Sequence, residues 1–181
     1  PAQGVEIEPL VQTEQEQDKT EVLTLENESQ EVKEFLAQFP ESEVVDQSGQ
    51  RRVDAECKVL REAKEVTLGD AHGSALKILH GLVSAGFVER MPSDFFALYK
   101  EMCEEDNPSL AGAQEGLNKF IAKRDKNKLK RLIEMVGEIT FRKVEGRKFR
   151  LIGDVIMDRG LSDRLTFELL AKLRETIGEE N

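Results

Sequence analysis

Two histidines, two cysteines and one Gly-bearing stretch are where this sequence could do chemistry. His72 and His80 stand eight residues apart, about two helical turns, so both imidazoles can face one side of a helix. A metal ion held there would need a third ligand close by, and the local sequence offers none; exposed or capping histidines are expected, and no metal site. The stretch "TLGDAHGS" at 67–74 bears glycines but lacks the G-x-x-x-x-G-K-[ST] spacing whose backbone N–H groups cradle phosphates. Cys57 and Cys103 are too few for a disulfide framework or a four-ligand zinc site. Neither carries the local signature of a nucleophile, and Cys57 falls on an apolar stripe. Glu104, Glu105 and Asp106 read as a solvated helix end rather than an acid/base pair. On these residues the chain is expected to be no enzyme and to need no cofactor.

Charge supplies a different chemistry. The net charge of −10 is sorted along the chain: residues 1–50 carry 13 acids against Lys19 and Lys33, while residues 51–181 carry 23 acids and 24 bases. Within the second part, 119–150 holds 12 bases against Asp125, Glu134, Glu138 and Glu145. The basic series Lys123, Arg124, Lys126, Lys128, Lys130, Arg131, Arg142, Lys143, Arg147, Lys148 and Arg150 is the candidate contact surface for an anionic partner. That partner is nucleic-acid phosphate, an acidic protein surface or this chain's own acidic arm; a solvated face is the alternative. Contacts of this kind position a polyanion and do not read its sequence.

The elements that must carry these residues read as helices. At 181 residues, 39% hydrophobic and 34% charged, the chain suits one domain with a tail. Segment 1–31 has scattered aliphatics and no sustained period, and is expected to be disordered; within it "EVLTLENE" at 21–28 could order on a partner. Val32, Phe35, Leu36 and Phe39 form one side of a short helix near 31–39, stopped by Pro40. After a linker at 41–50, helical stripes run through Val53, Cys57, Leu60 and Ala63, then Leu76, Ile78, Leu79, Leu82 and Val83, with Gly86 as a cap. Further stripes are Phe95, Leu98, Tyr99 and Met102 behind Ser93, and Leu110, Ala113, Leu117, Phe120 and Ile121 behind Asn107-Pro108. Leu129, Leu132, Ile133 and Val136 follow, and a last helix runs from Ser162 through Leu165, Leu169, Leu170, Leu173 and Ile177 to Gly178.

Residues 139–152 admit two readings. As a hairpin around Val144-Glu145-Gly146, Ile139, Phe141, Phe149 and Leu151 share a face. As a helix, Phe149, Ile152, Val155 and Ile156 form the stripe, with Gly153 costing up to about 1 kcal/mol relative to Ala. Spacing favours the helix.

The stretch "FRLIGDVIMDRGLSDRLTFELLAKL" at 149–173 resembles the signature of the middle-domain family of eukaryotic initiation factor four-gamma. Leu151-Ile152-Gly153-Asp154-Val155-Ile156 stands for its F-I-G-E-L-F core, Leu161 and Ser162 for its loop and cap, and Leu165, Leu169 and Leu173 for the next helix. Asp154 stands where the family has Glu, and Leu151 where it has an aromatic; the family's domain also has more helices than this chain holds. The resemblance implies a stacked helical scaffold that binds RNA, a helicase or another protein of RNA metabolism. "LKILHGLVSAGFVER" at 76–90 also resembles a winged-helix recognition element, but helix continues where a wing strand should be.

The expectation is therefore an all-α fold: an acidic arm over 1–50, then antiparallel helix pairs over 51–181, in a HEAT-like array or bundle. Its job would be that of a non-enzymatic adaptor binding RNA or RNA-associated proteins, or of a protein-only regulator whose arm carries the partner motif. No window reaches the roughly 18 apolar residues of a membrane helix. With no basic-then-apolar leader after Pro1, a cytoplasmic or nuclear setting is expected, and the sequon Asn27-Glu28-Ser29 is read as coincidence.

Overall fold

The computed structural model describes residues 23–39, 42–45, 48–54, 56–69, 71–105, 126–155 and 163–178. Helices and strands are interspersed along these residues, which overturns the all-α expectation and with it the helical-repeat array. Helices α1 (Gln30–Leu36), α2 (Lys58–Glu62), α3 (Ala75–Ser84), α4 (Phe95–Glu105), α5 (Lys126–Glu138) and α6 (Asp163–Ile177) are joined by six short strands. The strands are β1 (Ser42–Val45), β2 (Arg51–Asp54), β3 (Glu65–Gly69), β4 (Val88–Arg90), β5 (Thr140–Phe141) and β6 (Lys148–Ile152).

Among the described residues three strand pairs form. β1 and β2 pair antiparallel, with Ser42 opposite Asp54 and Val45 opposite Arg51. β4 pairs antiparallel with β5, Val88 opposite Phe141. β3 and β6 pair parallel, from Glu65 opposite Lys148 to Gly69 opposite Ile152. A parallel pair needs a long crossover, and here α3, α4 and α5 all fall between its two strands in sequence. Residues 139–152 thus hold two strands, yet these do not pair with each other, so neither the hairpin nor the helix forms. In β6 the alternation wins over the helical spacing: Phe149 is buried, Leu151 half-buried, and Lys148 and Arg150 are exposed. Gly153, at φ +77°, then turns the chain in a conformation other residues enter only with strain.

α3 is the centre of the core. Ile78, Leu79, Leu82 and Val83 are fully buried and pack with Phe87, Phe95, Leu132, Met135, Ile139, Leu165 and Leu169 in one cluster. The parallel pair approaches α3 where Gly81 lacks a side chain; a Cβ there would stand 3.3 Å from Phe149 and 3.4 Å from Leu68. The helical stripes of α3 to α6 match those expected wherever they are described, and Gly178 closes α6 at φ +80°; Ser74, which the spacing did not single out, caps α3 by accepting from the Lys77 N–H. The predicted helix over 107–125 lies outside the described residues. At the other end, α1 forms where expected and adds Val32 and Phe35 to the same core, so the packed unit reaches into the acidic first 50 residues.

Candidate functional site

Each strand of the parallel pair runs through apolar residues to a glycine followed by aspartate: Thr67-Leu68-Gly69-Asp70 and Leu151-Ile152-Gly153-Asp154. Because the strands are parallel, Gly69 and Gly153 lie at the same end of the pair, the carboxyl ends of the strands. The ladder continues past them. The His72 N–H donates to the Asp154 carbonyl at 2.6 Å, and the Gly73 N–H to the Val155 carbonyl at 2.9 Å. His72 holds φ +49° and Gly73 φ +71°. A non-glycine residue at positive φ costs on the order of 1 kcal/mol or more and persists where the surroundings dictate it. Here they do: Ala71 is buried on one side, and on the other the fully buried Thr166 hydroxyl of α6 donates to the Gly73 carbonyl at 2.7 Å.

The turn after β3, with the half-buried His72, is thus joined through the backbone to the turn after β6, with the exposed Asp154. Asp70 stands in sequence between the described Gly69 and Ala71, and Asp158 four residues beyond Asp154; both lie outside the described residues. Among the described residues no three His, Cys, Asp or Glu side chains gather closely enough to hold a metal ion. His72 and Asp154 are the two described donors at this end. Imidazole with carboxylate oxygen is a donor set for Mn²⁺, Fe²⁺ or Zn²⁺.

The basic series is scattered and partly engaged within the chain. Lys123 and Arg124 lie outside the described residues. On α5, Lys126 is exposed, Lys128 donates to Glu101 of α4 at 2.6 Å, Lys130 stands 3.8 Å from Glu134, and Arg131 donates to Glu138 at 2.8 Å. Arg142 reaches the buried Glu28 carboxylate at 3.3 Å, and Arg150 stands 3.2 Å from Glu65. Lys143 and Lys148 are exposed. Arg147 is buried and donates to three carbonyls, those of Leu60, Ala63 and Ala85, at 2.6 to 2.9 Å. It is a structural cation that ties α2, the end of α3 and β6 together.

His72 and His80 do not share a helix face: His72 sits in the turn before α3, His80 within it. His80 stacks on Phe39, ring centroids 4.3 Å apart, and its Nε2 lies 3.5 Å from the Ser84 hydroxyl. Burial holds its pKa below the usual 6.5. Cys57 is buried at φ +53°, and burial raises its thiol pKa, which makes it a poor nucleophile. Spacing within "TLGDAHGS" concealed its neighbour: the signal was the same apolar-Gly-Asp step occurring twice, 84 residues apart, which a search for local motifs does not register.

No protein-family model, curated protein or solved structure matches the chain. Among the described residues no helix is long and apolar enough to cross a membrane.

Proposed function

We propose that the paired turns after β3 and β6 form a divalent-metal site for phosphoester hydrolysis, with His72 and Asp154 as its ligands among the described residues. The observation that carries this reading is the 2.6 Å bond from the His72 N–H to the Asp154 carbonyl, which ties the turns together where two parallel strands end. An ion held by His72 and Asp154 would lower the pKa of a coordinated water and polarise a phosphoryl oxygen. The chain's own part is to hold the imidazole in its strained turn through Thr166 and to keep the Asp154 turn in register with it.

The test is calorimetric titration of the chelator-treated full chain with Mn²⁺ and with Zn²⁺, followed by hydrolysis of p-nitrophenyl phosphate. Saturable binding is expected, with turnover that His72→Ala and Asp154→Asn each lower by about 100-fold or more. Absence of binding by either ion at millimolar concentration would sink the reading.

A second reading is the adaptor implied by the basic series and by the resemblance to the initiation-factor middle domain: RNA, or a helicase or other protein of RNA metabolism, held against exposed Lys126, Lys130, Lys143 and Lys148. Its protein-only form assigns the partner motif to the acidic arm. Fluorescence anisotropy of a labelled single-stranded RNA at two salt concentrations separates them, since phosphate contacts weaken steeply with salt.

A further inference from the structure

β6 meets β3 along one edge, and among the described residues no strand takes the other. The Lys148 N–H donates to the Lys64 carbonyl on the β3 side, so strand alternation leaves the Phe149 and Leu151 amides on the open edge. Beside that edge runs a shallow groove lined by Phe149, Leu151, Leu170, Leu173 and Ile177, with Arg174 at its rim. The opposite face of β6 carries the exposed Lys148 and Arg150. An open edge with an apolar groove on one face and cations on the other specifies its complement: a short strand that alternates apolar and acidic residues.

The sequence holds such a segment, Val5-Glu6-Ile7-Glu8, ended by Pro9. Its route is defined by where the described chain begins. Leu23 lies beside Gly86, its Cδ1 3.5 Å from the place a Cβ would occupy there. The neighbouring Ala85 carbonyl accepts from Arg147, the residue just before β6. The acidic arm thus departs close to the start of β6, and the 14 residues from Pro9 to Val22 reach up to about 45 Å, well beyond the ~17 Å of a five-residue strand. We infer that residues 5–8 add to the open edge of β6, with Val5 and Ile7 over the groove and Glu6 and Glu8 beside Lys148 and Arg150. The arm is then an intramolecular strand that covers the edge and neutralises part of the basic series.

Amide hydrogen exchange on the full chain tests this, comparing wild type with the Val5→Glu, Ile7→Glu double variant at two protein concentrations. The expected result is exchange at Phe149 and Leu151 about tenfold faster in the variant, with the α3 amides unchanged as the control for folding. Equal rates in the two proteins would overturn the inference. Protection in wild type that grows with protein concentration would also overturn it, by assigning the edge to a second copy.

Discussion

The Arg147 guanidinium lies over the Phe87 ring, 5.1 Å from its centroid, while its N–H groups reach the carbonyls of Leu60, Ala63 and Ala85. One side chain thus satisfies three backbone acceptors near the ends of α2 and α3. Arg147→Leu keeps much of the apolar contact and removes every donor. Unsatisfied buried acceptors cost about 1–3 kcal/mol each, softened where water enters, so a loss of about 3 kcal/mol or more is expected. Arg147→Lys recovers only part, because an ammonium lacks the planar fork. Urea midpoints at constant m-value measure both.

A second buried cation makes the complementary case. Arg61 and Glu28 pair with side chains only 2% and 1% exposed, and Arg61 also donates to the Val83 carbonyl at 3.0 Å. The pair fastens the segment before α1 to the core. Glu28→Ala leaves Arg61 buried without its carboxylate, and a loss of about 3–5 kcal/mol is expected. Glu28→Ala combined with Arg61→Met removes the stranded charge and should recover a measurable share in thermal unfolding.

The helical part of this fold was legible because α3 to α6 show stripes at 3.6-residue period, and α3, α4 and α6 also carry a cap signal in the sequence. Those signals are local, and Gly86 and Gly178 stand at positive φ after α3 and α6, where the spacing puts a stop. The strands were not legible because each has five residues or fewer, too short for alternation to outvote a helical reading of the same apolar residues. Phe149 fits both periods, Leu151 the strand and Ile152 the helix; what decided them was pairing with Glu65–Gly69, more than 80 residues away. The candidate site fails to show for the same reason. His72 alone is a weak ligand, and its meeting with Asp154 depends on two turns that only the parallel ladder brings side by side. Arg147 was counted as a surface cation on residue type, and its burial follows from three carbonyls that no sequence pattern marks.

His80 makes stability depend on pH. Burial holds its folded pKa below 6.5, while the unfolded chain takes up a proton near that value. The unfolded state then binds more protons, so stability is full above about pH 6.5 and falls as pH drops below it, by at most about 1.4 kcal/mol per pH unit. His80→Phe preserves stacking on Phe39 and has no proton to take up. Unfolding free energies at pH 7.5 and 5.5 should therefore converge in the variant relative to wild type.

Thr166 separates a structural from a positioning role at the paired turns. Its hydroxyl is fully buried and donates to the Gly73 carbonyl at 2.7 Å, so Thr166→Val keeps the shape of the side chain and strands the acceptor. A cost of about 1–2 kcal/mol in stability is expected on that ground alone. If the hydrogen bond also holds His72 toward an ion, Mn²⁺ affinity falls about 10- to 100-fold in the folded variant, as loss of an outer partner does at metal sites. Thr166→Ser retains the donor and should keep the affinity despite losing a methyl group from the core. Calorimetric titration of the three proteins, each checked for folding by circular dichroism, distinguishes the outcomes: equal affinities would leave Thr166 as a core residue and detach the turn from any metal chemistry.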